Sequence, residues 1–280
     1  MRPHLEKYFR MNKLPHIWCP GCGHGIILGS LIRAIDNLDL DQDNICIVSG
    51  IGCSSRAPGY MNFDTLHTTH GRALAFATGI KLSKPELKVI VITGDGDCAA
   101  IGGNHLIHAA RRNIDLTTIV FNNNIYGMTN GQYSPMTPKG AFASTAPYGN
   151  IDRNFDLCKL AVAAGATFVA RGTVYHTNQL IKLIEEALMH KGFSLVDAVS
   201  ICPTYFGRKN ELSSPIEMLK WQREHAISVN AAEKLSPDKL KDKFLIGKFY
   251  ASQEPEYTEE YGRLIEKAQK QVLKQKKEGE

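Results

Sequence analysis

The chain has 280 residues, 43% hydrophobic and 22% charged, with a formal charge of +5 at neutral pH. That size and balance allow a substantial buried core and exclude wholesale disorder. The mild, dispersed positive charge suits a protein that handles small anions and makes no case for nucleic acid. Residues 1–14 hold no apolar signal core, and no apolar run approaches membrane-spanning length, so a cytoplasmic protein is expected. In that compartment seven cysteines read as thiols, metal ligands or cluster ligands rather than disulfides.

Residues 1–18 read as an irregular arm leading into Cys19-Pro20-Gly21-Cys22-Gly23. Apolar spacing at Ile27, Leu31 and Ala34 predicts a helix over 24–35, followed by a buried strand at 44–48 that ends in Ser49-Gly50-Ile51-Gly52-Cys53. A helix over 72–82 stops before Pro85. A strand at 88–93, a Gly-rich turn, a helix at 103–112 and a strand at 116–121 make a right-sized βαβ crossover. Then come a helix at 155–164, a strand at 167–170, a helix at 178–190 and a buried strand at 194–199 ending in Ser200-Ile201-Cys202-Pro203.

Helices alternating with near-continuous apolar strands predict an α/β fold, a mostly parallel sheet covered by helices on both faces, occupying residues 1–210. Residues 211–280 read as a C-terminal extension, largely helical or irregular, with few strand signals. Its last stretch, 259–280, mixes six basic and five acidic side chains in a helix-like pattern and reads as a solvated helix.

Two of the strand-like runs end in hard oxygen ligands, Gly94-Asp95-Gly96-Asp97 and Asn122-Asn123-Asn124. Taken alone, Gly-Asp-Gly is a common turn. Coupled to an Asn cluster at the end of the next strand, it offers a carboxylate from Asp95, an amide oxygen from Asn123 and the carbonyl of Ile125 to a magnesium ion. The glycines at 94, 96, 102 and 103 let backbone approach phosphate oxygens at the carboxyl edge of the sheet. A diphosphate cofactor is the expected occupant.

Four cysteines sit at loops or strand ends: Cys19 and Cys22 in a Cys-x-x-Cys turn, Cys53 after one strand and Cys202 after another. Four thiolates suit a structural zinc or an iron–sulfur cluster, and spacing does not separate the two. Cys46, Cys98 and Cys158 read as small core residues.

Gly94-Asp95-Gly96 with Asn123 resembles the thiamine-diphosphate motif of thiamine-dependent enzymes. Over residues 18–208 the chain resembles the beta subunit of the 2-oxoacid:ferredoxin oxidoreductases. The resemblance rests on Cys19-Pro20-Gly21-Cys22-Gly23, Gly50-Ile51-Gly52-Cys53-Ser54-Ser55-Arg56, His67-Thr68-Thr69-His70-Gly71-Arg72 and Gly94-Asp95-Gly96-Asp97. Further along it is carried by Ile101-Gly102-Gly103-Asn104-His105, by Asn122 through Gln132, and by Cys202-Pro203-Thr204. The 2-oxoglutarate branch is the most similar.

The resemblance implies a thiamine-diphosphate-binding (pyrophosphate-type) domain in which Asp95, Asn123 and the Ile125 carbonyl bind magnesium. Ile51, Gly52, Cys53, Ser54, His70, Gly96, Asp97, Gly127 and Met128 line the cofactor, and Cys19, Cys22, Cys53 and Cys202 hold a [4Fe–4S] cluster. Arg56 receives the substrate carboxylate, its positive charge matching a dicarboxylate, and Asn130 lies in the substrate vicinity. The bland readings stand beside these: Asp97 as a helix cap, His70 as a satisfied core group, Arg72 as solvated, and His105 and His108 as packing or surface residues.

The implied reaction is oxidative decarboxylation of 2-oxoglutarate to succinyl-CoA and carbon dioxide, with coenzyme A as co-substrate and ferredoxin or flavodoxin as acceptor. An alpha subunit supplies the pyrimidine-binding domain and the activating carboxylate, and further small subunits carry any other clusters. The competing readings are the same reaction on pyruvate or another 2-oxoacid, and a non-redox thiamine enzyme with structural zinc.

Overall fold

The apolar runs lack a two-residue alternation because the central strands are buried on both faces. The computed structural model describes residues 3–212 and 214–278. The chain enters through two 3₁₀ turns, Pro3–Tyr8 and Met11–Lys13, into α1 (His24–Asn37) and β1 (Ile45–Ser49). The short α2 (Ala57–Tyr60), β2 (Asp64–His67), α3 (Ala73–Ser83) and β3 (Lys88–Gly94) follow. A π-helical turn, Asp97–Ile101, leads into α4 (Gly103–Arg111) and β4 (Thr117–Asn122).

A two-stranded ribbon, β5 (Ile125–Tyr126) and β6 (Gln132–Tyr133), then precedes α5 (Leu157–Ala163), β7 (Phe168–Thr173), α6 (Thr177–Met189) and β8 (Ser194–Val199). The tail carries α7 (Pro215–His225), β9 (Ala226–Ser228), α8 (Val229–Ala232), α9 (Pro237–Leu240), β10 (Phe244–Ala251) and α10 (Tyr257–Glu278). Among the described residues no helix is long and apolar enough to cross a membrane.

The strands form one sheet in the order β2-β1-β3-β4-β8-β7-β10-β9. From β2 to β7 every pairing is parallel, and β10 alone runs antiparallel to its neighbour β7. Alternate residues feed two cores. Ile45, Ile47, Ile90, Ile92, Ile119 and Phe121 meet α1 and α6 on one face. Val48, Val89, Val91 and Val120 meet α3, α4 and α5 on the other. The fold is therefore the expected parallel α/β layer structure.

Connections leave β1 toward β2 and leave β3 toward β4, in opposite directions from adjacent strands. That divergence opens a crevice at the carboxyl ends of β1 and β3, the place where open α/β sheets bind ligands.

Three expectations change. Over residues 3–18 the arm is in part regular, with two 3₁₀ turns, and it packs down, with Leu5, Tyr8 and Trp18 buried against α1 and Tyr60. The tail holds two strands where few were expected, and β10 extends the main sheet. Its alternation is broken by Gly247 at φ +112° and a register shift, which hides the signal. Edge strand β2 has only half-exposed or exposed side chains, so no hydrophobic pattern marks it. Helix α5 starts two residues later than predicted because the Asp156 side chain caps it by accepting from Lys159 N. Residues 279–280 of the predicted terminal helix lie outside the described residues.

Candidate functional site

Loops leaving β1, β3 and β4 enclose a cavity of about 280 Å³ at the crevice. Every residue expected to line the cofactor borders it: Ile51, Gly52, Cys53, Ser54, His70, Gly96, Asp97, Gly127 and Met128. Asp95, Asn123 and Ile125 border it as well. Arg56 and Asn130 do not. Arg56 is exposed at the end of a 3₁₀ turn, Ser54–Arg56, and Asn130, at φ +80°, accepts a hydrogen bond from the Tyr205 hydroxyl at 2.9 Å.

The Asn123 amide spans Asp95 Oδ1 at 3.1 Å and the Ile125 carbonyl oxygen at 2.8 Å. With its NH₂ toward them it would donate to both. With its oxygen toward them, three oxygens face one another with no proton between, an arrangement that a cation resolves. Octahedral magnesium, with bonds near 2.1 Å, sets its adjacent oxygens about 3.0 Å apart, and the observed separations match. The donor set therefore fits the metal.

Burial pushes the Asp95 carboxyl up to about 7, although Ser134 Oγ donates to its Oδ2. Nearby, Ser54 Oγ is buried without a hydrogen-bond partner at the cavity wall, a donor that suits a phosphate oxygen.

Asp97 does not cap the helix through its side chain. Its Oδ1 accepts from the Gly71 N–H at 2.6 Å and the Ile51 N–H at 3.3 Å, and its Oδ2 accepts from Thr93 Oγ1 at 2.7 Å. His70 Nδ1 lies 2.6 Å from the same Oδ1 but off the line a ring N–H needs to donate. One carboxylate thus ties the loop after β1 and the loop before α3 to the end of β3. Tyr126 donates from its hydroxyl to the Gly96 carbonyl at 3.3 Å, and burial pushes its phenol up to about 12, so it stays a donor. A Cβ at position 96 would overlap the Tyr126 ring. Gly96→Ala is expected to displace that ring into the cavity and weaken thiamine diphosphate binding about tenfold, measured by fluorescence titration; unchanged affinity would refute the close approach.

The four thiols assemble on the neighbouring wall. The four lie close together: Cys19 raises the thiol pKa of Cys22, Cys53 and Cys202, and Cys202 raises those of Cys22 and Cys53. Burial is the larger cause and pushes Cys22 up to about 12 and Cys53 up to about 11. Backbone N–H groups oppose it, from His24 to the Cys22 sulfur and from Tyr205 and Phe206 to the Cys202 sulfur. Such N–H donors are what thiolates bound to iron need, so the donor set fits a cluster. A Cβ at Gly127 would lie 3.3 Å from Cys53 Sγ and 3.9 Å from Cys202 Sγ, so this glycine is the wall shared by the cavity and the thiols. Among the described residues no three His, Cys, Asp or Glu side chains converge as the ligand set of one ion. Cys46, Cys98 and Cys158 are buried core residues, as expected.

Sequence reasoning missed Thr93, Ser134, Tyr126 and His24. Ser134 reaches Asp95 across a long loop, and nothing in the local sequence signals that contact. His24 lines the cavity, and burial holds its imidazole neutral, down to about 3. Of the other histidines, His105 is half-buried and His108 exposed. Arg72 donates to the carbonyls of His70 and Ile101.

Residues 50–198 match the thiamine pyrophosphate enzyme, C-terminal TPP binding domain. The chain is 54% identical over 267 residues to the 2-oxoglutarate synthase subunit KorB of Methanocaldococcus jannaschii, covering 95% of this chain and 98% of that one. It is also 54% identical over 269 residues to the KorB subunit of Methanothermobacter marburgensis, covering 96% and 94%. Among solved structures it resembles a 2-oxoglutarate:ferredoxin oxidoreductase from Magnetococcus marinus with 2-oxoglutarate, coenzyme A and succinyl-CoA bound. That match has a TM-score of 0.84 and 34% identity, over 94% of this chain and 90% of that one. A thiamine-type cavity with Cys53 on its wall and three further cysteines grouped around that thiol, with identity this high across nearly the whole length, places the chain in the KorB family of 2-oxoglutarate:ferredoxin oxidoreductase subunits.

Proposed function

We propose that this chain is the thiamine-diphosphate- and cluster-bearing beta subunit of a 2-oxoglutarate:acceptor oxidoreductase. With an alpha subunit it converts 2-oxoglutarate and coenzyme A to succinyl-CoA and carbon dioxide, passing two electrons through a [4Fe–4S] cluster to ferredoxin or flavodoxin. The observation that carries this reading is the close adjacency of an oxygen-donor cavity and four grouped thiols, with Cys53 on the cavity wall and Gly127 packed beside Cys53 and Cys202.

Asp95, Asn123 and the Ile125 carbonyl would hold Mg²⁺, and Ser54 and His70 would meet the diphosphate oxygens. When bound, thiamine diphosphate supplies the carbanion that attacks the oxo carbon and takes up the electrons left by decarboxylation. The protein's part is orientation. Asp97 fixes the loops that carry Ile51 and His70, Tyr126 keeps the Gly96 turn in place, and apolar Ile51 and Met128 at the mouth limit water. Cys19, Cys22, Cys53 and Cys202 would ligate the iron. Arg56, exposed outside the cavity, would receive the distal carboxylate of a dicarboxylic substrate, with Asn130 beside the substrate.

Within this chain the domain organisation is a thiamine-diphosphate-binding unit over 1–210 and an extension over 211–280. The carboxylate that activates the aminopyrimidine comes from the alpha subunit, and the assembly works in the reducing cytoplasm. Further small subunits would carry any additional clusters.

The test is anaerobic purification of the complex with its partner subunits, iron and sulfide analysis, and a 2-oxoacid panel with coenzyme A and a low-potential acceptor. Turnover of 2-oxoglutarate at least about tenfold above pyruvate is expected, the discrimination available to a site that pairs an extra carboxylate with a cation. Exclusive turnover of pyruvate overturns the substrate reading. A colourless, iron-free protein overturns the cluster.

A further inference from the structure

The Cys19–Cys22 turn is flanked by two buried side chains that the reaction does not consume, Trp18 and His24, which are 8% and 1% exposed. Each reaches a different cysteine-bearing loop. Trp18 donates its indole N–H to the Cys53 carbonyl at 2.7 Å. His24 Nδ1 meets the Ser200 hydroxyl at 2.9 Å, two residues before Cys202. The backbone reinforces the second tie, since Gly23 N–H donates to the Ile201 carbonyl at 3.1 Å. A Cβ at position 23 would stand 2.6 Å from Ser200 Oγ and 2.8 Å from the Ile201 nitrogen. Only glycine admits that approach.

The two loops so tied leave β1 and β8, which are separated by β3 and β4. Strands that far apart in a sheet are about 14 Å from each other. Nothing in the sheet itself fixes the distance between the Cys53 and Cys202 loops to better than the slack of those loops. Segment 18–24 bridges them. Its two ties also support each other: the Trp18 and His24 rings meet edge-to-face with centroids 5.8 Å apart, and they are backed by Tyr60 and Phe121 at 5.4 and 5.2 Å. Packing of this kind holds a ring in one rotamer, so each hydrogen bond acts from a fixed point.

We propose that Trp18 and His24 are positioning residues of the thiol site, a two-ended clip that sets the spacing of the Cys19–Cys22, Cys53 and Cys202 loops and thereby the retention and potential of the cluster. The proposal rests on the cluster reading above. Neither side chain touches iron in this account. Both act through loop backbone and Ser200, as outer partners of metal ligands commonly do.

The test uses the anaerobically isolated complex with Trp18→Phe, which keeps a ring and removes the N–H, and Ser200→Ala, which removes the hydroxyl. His24→Leu removes the imidazole partner, and His24→Asn restores a polar nitrogen or oxygen near the Nδ1 position. Iron and sulfide per chain, the cluster midpoint potential by EPR-monitored titration, bleaching of visible absorbance in a fixed dose of air, and thiamine diphosphate affinity are measured on each. Expected are bleaching at least about tenfold faster and an altered potential in Trp18→Phe, Ser200→Ala and His24→Leu, with the bleaching rate and potential close to wild type in His24→Asn. Thiamine diphosphate affinity is expected to stay at the wild-type value in Trp18→Phe and Ser200→Ala. If His24→Leu does not fold, Ser200→Ala alone decides the histidine end.

Variants that hold the cluster as long as wild type, at its potential, overturn the clip. In Trp18→Phe or Ser200→Ala, faster bleaching that comes with an equal loss of thiamine diphosphate affinity also overturns it, because it marks a general structural role. An iron-free wild-type complex brings down the cluster reading itself, a result distinct from a wild-type cluster that the variants retain.

Discussion

Asp95→Ala in the assembled complex raises the dissociation constant for thiamine diphosphate, titrated calorimetrically in the presence of magnesium, by about 100-fold or more. Altering even an outer partner of a metal site commonly costs 10–100-fold, and this change removes the one charged ligand of a set otherwise made of an amide and a carbonyl. The set is pre-arranged by Ser134, which donates to Asp95 Oδ2.

The same carboxyl gives the site a pH dependence. Burial raises it to about 7 when no cation neutralises it, so metal and proton compete for it. Apparent magnesium affinity is then expected to fall about tenfold per unit below pH 7 and to level off above it. The sign for stability is opposite. The metal-free fold binds this proton more tightly than the unfolded chain does, so the group's contribution to stability declines as pH rises from about 4 to 7. Magnesium restores it. An Asp95→Ala protein with wild-type affinity, or a magnesium affinity flat between pH 6 and 8, would sink the assignment.

The largest stability effect is expected at Asp197, at the centre of β8 and fully buried. It accepts from Arg171 Nε at 2.7 Å and from Asn122 Nδ2 at 2.9 Å. Arg171 is itself buried, and its only other carboxylate partner among the described residues is Asp156, bound at 2.7 Å. Burial by itself would lower the guanidinium pKa, but the two carboxylates hold it above its ordinary value.

Asp197→Ala leaves that cation with one half-exposed counter-charge and strands the Asn122 amide. The cost is about 3–5 kcal/mol, a fall of about 10 °C in thermal midpoint. Removing both charges, in Asp197→Ala with Arg171→Met, should recover part of the loss because no buried charge remains unpaired. A single variant that melts within about 1 °C of wild type would refute the argument. Because Asn122 adjoins Asn123, the single variant should also weaken magnesium-dependent cofactor binding, and to a smaller degree than Asp95→Ala.

The parts of this architecture legible in sequence are those with a local signature. The doubly buried strands β1, β3, β4 and β8 are continuous apolar runs, and their carboxyl ends carry glycine, Asp, Asn or Cys that a plain turn would not need. The edge strand β2 and the interrupted β10 carry no such signature, since a strand paired on one side, or broken by a glycine, needs no apolar continuity. The packed arm hid for a related reason: Leu5, Tyr8 and Trp18 are isolated apolar residues whose partners lie elsewhere in the chain.

Composition and motif spacing by themselves pointed to the α/β class, to the oxygen donors at 95, 123 and 125 that border the cavity, and to the four cysteines that group beside it, because donor chemistry is a property of residue type and strand-end position. Tertiary structure alone decided that Asp97 staples the loop after β1 to the loop before α3, that Gly127 packs beside Cys53 and Cys202 at the cavity wall, and that Trp18 and His24 tie together loops from strands that are not neighbours. Those contacts join residues tens to more than a hundred positions apart. Their existence depends on the strand order β1-β3-β4-β8, which no local pattern encodes.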